Sequence, residues 1–394
     1  MSARRSSLAG LLLTASLALA DTPGSDFAEL DATLQQSIEA GAAPGAVVLV
    51  GQGEQVLYRQ AYGWRSLSEP VEPMTVDTVF DFASLTKVVA TATALMVLVD
   101  EDRLALDDPL SRWLPDWAAT DKANLTVLQL ATHVAGFAPD VDLEAPWIGR
   151  ETAMRLALET PLAAPPGERF IYSDIGYFVL AEVIERAAGM PFEEFVSARV
   201  LKPLGMRDSG FRPAPGQRER IAPTEAGIER GVVHDPTARR MGGVAGHAGL
   251  FSTVDDLTRY VRMILAGGTL DGVRILSPQA VALMTSTMTP VEMRERRGIG
   301  WDIDTAFSTP RGERFPVGSV GHTGFTGTSM WLDPGSGAYV LLLTSRLYPD
   351  GKGDVRALRK RVATLAARAV LDHGVGQASG DWGGSAKVAP GNTP

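Results

Sequence analysis

Ser84 and Lys87 stand three residues apart in Phe82-Ala83-Ser84-Leu85-Thr86-Lys87. On a helix that spacing places both side chains on one face, about a turn apart. A hydroxyl beside an amine is a nucleophile next to its base, the pairing that acyl transfer needs. The plain alternative is an N-cap serine with a surface lysine after it. The run downstream of the pair argues against that alternative. Between Val88 and Val99 only Thr91 and Thr93 are polar, so the helix is apolar all round and belongs in a core. It is too short and too threonine-marked to span a membrane. A helix N-terminus there would offer free N–H groups and a positive dipole end, which suit an oxyanion. No other Ser-x-x-Lys occurs in the chain.

Two further clusters fit the same chemistry. Tyr172-Ser173-Asp174 comes after the loop Pro165-Pro166-Gly167 and precedes an amphipathic helix expected over 177–188, ending at Gly189. A phenol next to an amine can relay a proton between nucleophile and leaving group. His322-Thr323-Gly324 precedes a strand expected to carry Ser329 to Leu332. On an edge strand it would line a cleft with a cation or hydroxyl and with backbone N–H groups. Each cluster alone reads equally well as packing or loop. His133, His234, His247 and His322 contain no H-E-x-x-H and no tight pair, so no metal is expected. The glycine-rich run 242–249 lacks a P-loop lysine and Rossmann spacing and reads as a cleft-lining loop. Gly-x-Ser-x-Gly is absent, which disfavours an α/β-hydrolase.

The elements that must position these residues fall into an ordered pattern. Apolar runs at 45–50 and 55–62 flank Gly51-Gln52-Gly53, and runs at 328–333 and 338–345 flank Pro334-Gly335-Ser336-Gly337, so each reads as a hairpin. The middle is mainly helical; Ser252 with Asp255 reads as a capping box before a helix from Leu257 to Ala266. A closing amphipathic helix runs from Asp354 to Leu371. The fold class is therefore α/β: an antiparallel sheet flanked by helices, built from residues 27–87 and 290–372, with an all-helical domain inserted over 88–289. A cleft at their junction is the default place for a site.

Composition sets the outer limits. The chain has 394 residues, 45% hydrophobic and 21% charged, ordinary for a globular protein. A formal charge of −9 argues against nucleic acid or an anionic membrane as main partner. Absence of cysteine excludes disulfides and thiol chemistry. Arg4 and Arg5, the apolar stretch from Leu8 to Leu19, and Ala18-Leu19-Ala20 read as a secretory signal over 1–20. The expectation is a periplasmic or secreted protein beginning at Asp21, with no integral membrane segment left. Residues 374–394, rich in Gly, Ser, Ala and Pro, read as a disordered tail.

Taken in order, Ser84-x-x-Lys87, Tyr172-x-Asp174 and His322-Thr323-Gly324 resemble the serine β-lactamase and penicillin-binding protein superfamily. The resemblance is strongest to the branch holding class C β-lactamases, D-Ala-D-Ala carboxypeptidases and related esterases. It extends from about Ala46 to Leu347 and takes in Thr78-Val79-Phe80, Leu106-Asp107-Asp108-Pro109, Thr132-His133-Val134-Ala135-Gly136, Pro203-Leu204-Gly205-Met206 and Gly249-Leu250-Phe251-Ser252. It implies a β-lactamase/transpeptidase-like fold, with Ser84 acylated, Lys87 taking its proton and Tyr172 relaying it. The Ser84 and Phe325 N–H groups would form the oxyanion hole, His322 and Thr323 would bind the substrate's carboxylate or complete the proton network, and Gly324 would line the substrate site with them. No metal or cofactor is implied. Burial is expected to lower the Lys87 pKa. Asp174 stands where the family often has Asn, so an anion that could hold Lys87 charged replaces an amide that meets substrate. His322 stands where class C β-lactamases have lysine. Near its reference pKa of about 6.5 it would lose charge between pH 6 and pH 8, and carboxylate substrates would bind more weakly as it did. The implied activity is that of an exported D-Ala-D-Ala carboxypeptidase on cell-wall peptides. The alternatives are a β-lactamase, a small-ester esterase or a non-catalytic penicillin-binding protein.

Overall fold

Gly45-Ala46-Val47-Val48-Leu49-Val50 carries no polar side chain, so a strand made from it must be covered on both faces. In the computed structural model, which describes residues 27–372, it is. The leader at 1–20 and the tail at 374–394 lie outside the described residues. Eight strands form the main sheet: β1 (Gly45–Gln52), β2 (Gln55–Ser66), β3 (Glu72–Pro73), β4 (Arg296–Arg297), β5 (Asp302–Asp304), β6 (Val320–Thr323), β7 (Ser329–Leu332) and β8 (Ala338–Thr344). Their order is β3-β2-β1-β8-β7-β6-β5-β4, antiparallel throughout. The sheet thus joins strands from both ends of the chain, with Ala46 opposite Thr344 at the seam.

Five helices matter to the site: α1 (Ala28–Glu39), α2 (Thr93–Asp100), α3 (Asp174–Ala188), α4 (Val254–Leu265) and α5 (Arg356–Asp372). Strand alternation sends Val48 and Val50 to one core, with Leu30 and Leu34 of α1 and Val362 and Val370 of α5. Val47 and Leu49 point to the other, larger core, which holds the apolar helix behind Ser84. Between the two ends of the sheet helices are the main regular elements, but short strands such as Gly210–Phe211, Leu250–Ser252 and Thr269–Leu270 interrupt them, so the inserted region is not all-helical. A small sheet of Phe80–Asp81, Leu250–Ser252 and Gly210–Phe211 ties the lead-in to Ser84 to that region. Among the described residues no helix is long and apolar enough to cross a membrane.

Three local outcomes differ from expectation, each for a visible reason. The apolar helix begins as a π-helical turn over Lys87–Ala92 before becoming α2. Such turns need alternative partners for the backbone they free. Here the Val88 carbonyl accepts from Thr93 Oγ1 (3.0 Å) and Tyr260 Oη (3.3 Å), while Thr91 Oγ1 donates to Gly246 O (2.6 Å). Gly300 packs against this turn at φ +85°, and a Cβ there would lie 2.6 Å from Ala92 Cβ. Helix α3 starts three residues before Tyr177 because Ser173 caps it, its Oγ accepting the Gly176 N–H. The cap of α4 is Thr253, accepting from Asp256 N–H, since Ser252 is held in the small sheet.

Candidate active site

Ser84 is presented by a strained turn. Ala83 has φ +45°, a left-handed conformation that costs a β-carbon residue on the order of 1–3 kcal/mol. Asp81 holds it there: Oδ1 accepts the Ala83 N–H (2.8 Å) and Oδ2 the His234 N–H (2.7 Å). Burial pushes the Asp81 carboxyl up to about 6, against the pull of those two donors. The β6–β7 loop is stitched to the same turn. Thr326 Oγ1 donates to Asp81 O (2.7 Å) and Thr328 Oγ1 to Phe82 O (3.2 Å). Gly324 lies so close to the Phe82 carbonyl that a Cβ would collide with it. Among the described residues neither the Ser84 nor the Phe325 amide has an acceptor within the protein, leaving both free for an oxyanion.

Lys87 is completely buried, with Nζ 3.0 Å from Ser84 Oγ, 3.3 Å from His247 O and 4.8 Å from the Tyr172 ring centre. Asp174 Oδ1 lies 2.6 Å away, an ion pair approached off the ideal hydrogen-bond line. Burial pushes the amine down, but the Asp174 carboxylate, helped by Tyr172, outweighs it and raises the amine above its ordinary value. This corrects the expectation that burial lowers it: Lys87 is an ammonium that donates to Ser84 Oγ.

Asp174→Asn should leave burial opposed only by the smaller contribution of Tyr172. The alkaline limb of kcat/KM then moves down by about one pH unit or more, and stability at pH 7 falls by about 2–3 kcal/mol. That is less than the ~3–5 of a fully buried pair because Asp174 stays 23% exposed. Because the folded Lys87 value is the higher one, its stabilisation is complete below the unfolded value near 10.5 and is lost only as pH rises beyond it. An unchanged limb and melting temperature would contradict the pairing.

Tyr172 is held by rings. His133 stacks on it at 4.4 Å and 28°, Phe307 lies at 5.3 Å and His322 at 6.0 Å. His133, itself at φ +61°, accepts the Ser173 N–H on Nδ1 (3.0 Å). Burial, then the Arg297 and Lys87 charges, hold it well below its ordinary pKa, so it is neutral.

His322 precedes the expected strand Ser329–Leu332 but itself lies within β6. That strand pairs with β5 and β7 and so is not the edge strand expected. His322 is 5% exposed. Burial, then Arg297 and Lys87, push it well below its usual value. Neutral, it donates from Nδ1 to Thr323 O (2.9 Å) and leaves Nε2 as an acceptor. The expected loss of charge between pH 6 and pH 8 is therefore corrected. His322 should contribute no slope to KM for carboxylate substrates across that range, and His322→Gln should show the same profile. A rise in KM that disappears in His322→Gln would contradict its neutrality.

Ser84, Tyr172, His322, Thr323, Gly324 and Phe325 all line one cavity of about 540 Å³, with Lys87 behind Ser84, Asp174 behind Lys87, and neither in the lining. Sequence reasoning missed the arginines of that wall. Arg359 donates to Gly324 O (2.6 Å) and Thr328 O (2.8 Å), and Arg346 to Phe325 O (2.7 Å), fixing the loop. Arg297 also lines the cavity but sits in a charged run, 294–297, that looks like a solvated face. Asp174, Asp235 and His247 bring ligand atoms within 4.8 Å, a spacing a cation can use. The Lys87 ammonium already supplies that charge.

The β-lactamase family model matches residues 30–365. The chain belongs to the β-lactamase family. That family is one of serine hydrolases, and the proteins similar to this chain carry three kinds of name. A provisionally named D-alanyl-D-alanine carboxypeptidase of Salmonella agona (strain SL483) is 31% identical, with 80% of this chain and 82% of the relative covered. The solved structure of EstCE1, a hydrolase with promiscuous acyltransferase activity, superposes with TM-score 0.70 at 24% identity, covering 88% of this chain and 98% of that one. A penicillin-binding protein homologue from Caulobacter crescentus gives 0.71 at 22%, covering 89% and 99%. These two show the family's β-lactamase/transpeptidase-like fold, as the sequence pattern leads one to expect.

Proposed function

We propose that this family member is an exported hydrolase that forms an acyl-enzyme on Ser84 and acts on peptides ending in D-alanyl-D-alanine. The observation that carries the chemistry is Ser84 Oγ at 3.0 Å from a buried ammonium, in a cavity shared with Tyr172 and the His322-Thr323-Gly324 edge. Attack joins Ser84 Oγ to the acyl carbon. The hydroxyl proton passes to Tyr172 and on to the leaving group, and water then releases the acid. The Ser84 and Phe325 N–H groups take the oxyanion. Lys87, held charged by Asp174, orients Ser84 Oγ and favours negative charge nearby. The peptide substrate is supported by the Salmonella relative's name, and export by the 1–20 leader pattern.

A small-ester substrate is the other reading with an observation behind it. Neutral His322 offers no cation to a carboxylate, and Phe307 (49% exposed) and Phe325 (61%) put aromatic surface at the cavity mouth. The test compares kcat/KM for a D-Ala-D-Ala peptide, a chromogenic β-lactam and a p-nitrophenyl ester. The peptide should rank first. Ester hydrolysis far ahead of peptide hydrolysis favours the esterase, and labelling without turnover means a binding protein.

A further inference from the structure

Arg297 is completely buried, yet among the described residues no carboxylate neutralises it closely. Asp302 Oδ1 is 3.9 Å away, and Asp302 Oδ2 is engaged by Ser308 Oγ at 2.9 Å. One guanidinium nitrogen donates to Gly300 O (3.0 Å), while the buried Nε has no acceptor among the described residues. Burying a charge so weakly paired is strongly unfavourable, so its location should matter. The guanidinium carbon stands 5.8 Å from the Tyr172 ring centre and 5.7 Å from that of Phe170. Lys87 Nζ faces the same Tyr172 ring at 4.8 Å. Two buried cations thus bear on one phenol. The other groups packed around it add no positive charge: His133 and His322 are neutral, Tyr177 donates its hydroxyl to Ala131 O, Asp174 is spent on Lys87, and Asp302 is the weak counter-ion of Arg297.

We propose that Arg297 is a positioning residue for the Ser84 reaction, its fixed charge stabilising the negative Tyr172 oxygen that accepts the Ser84 proton. The inference rests on Ser84 being the nucleophile. In the step, the Ser84 Oγ–H bond breaks, Oγ bonds to the acyl carbon, and the proton moves to the Tyr172 oxygen before passing to the leaving group. No oxidant or co-reactant is needed. An arginine suits the task because it keeps its charge at every working pH, and low local polarity strengthens its pull on a phenol whose ring centre is 5.8 Å from the guanidinium carbon. It supplies the second cation that neutral His322 does not.

The experiment is the pH profile of kcat/KM for a p-nitrophenyl ester in wild type, Arg297→Gln, Arg297→Lys and Asp302→Asn, with Ser84 acylation followed by mass. Arg297→Gln should lower kcat/KM at pH 7 by about tenfold or more and move the acid limb up by about one unit, a tenfold change in equilibrium. Alkaline pH should recover part of the loss, and Arg297→Lys should restore most of both. Asp302→Asn, by freeing Arg297 of its weak counter-ion, should move the limb down. A loss uniform in pH and not rescued by lysine would make Arg297 a packing residue and overturn the proposal. If Arg297→Gln does not fold, an unmoved limb in Asp302→Asn overturns it instead. Wild type that turns over without acylation at Ser84 defeats the nucleophile assignment itself, and the proposal falls with it. Wild type that acylates at Ser84 while the limbs stay fixed defeats the Arg297 proposal alone.

Discussion

Ser84→Ala should leave a folded protein whose turnover of any acyl substrate falls by about 10³–10⁶-fold, the range seen when a nucleophile acting within a unit is removed. The change deletes one oxygen and little packing. Lys87 keeps Asp174 and the His247 carbonyl as partners, and the turn at Ala83 keeps its Asp81 bond. Melting temperature should therefore barely move. Lys87→Ala should be nearly as damaging to turnover but far less well folded, because it strands Asp174 beside a buried void. Steady-state rates within tenfold of wild type in Ser84→Ala would remove Ser84 from the chemistry.

Tyr172→Phe should cost about 10²–10⁴-fold in kcat, the usual worth of a positioned general acid–base group. KM should change little. Phenylalanine keeps the ring that stacks on His133 at 4.4 Å and packs near Phe307, so the substitution separates the hydroxyl from the packing. The lost oxygen also helps hold the proton on Lys87, so the alkaline limb should fall modestly as well. A kcat near wild type with a normal melting curve would mean that Tyr172 only packs at the head of α3.

The parts of this molecule legible in its sequence are those fixed by local pattern. The Ser84/Lys87 spacing, the apolar run behind it, both glycine-marked hairpins and the stop at Gly189 depend on residues close together in the chain. The features that escaped reading depend on proximity in space. Lys87 and Asp174 lie far apart in sequence, and only their 2.6 Å approach shows that a carboxylate outweighs burial. His322 carries no mark of neutrality; it comes from burial in β6 and from Arg297 nearby. Arg297 itself is hidden by neighbours such as Arg294, Glu295 and Arg296, which read as a hydrated charged face although its own side chain turns into the core. The π-helical turn arises from hydroxyls on Thr93 and Tyr260 competing for one carbonyl, a contact between distant segments. The caps at Ser173 and Thr253 were missed by one to three residues because serine, threonine and aspartate crowd both helix starts and only geometry decides among them.

The central claim is a covalent acyl-enzyme on Ser84, and peptide-mapped mass spectrometry after rapid quenching tests it most directly. Wild-type protein mixed with a penicillin, and separately with a p-nitrophenyl ester, should carry one acyl mass on the peptide containing Ser84. Tyr172→Phe should acquire that mass more slowly, and Ser84→Ala not at all. An adduct mapped to a different residue, or full turnover with no adduct trapped on Ser84 under any quench time, would contradict the account.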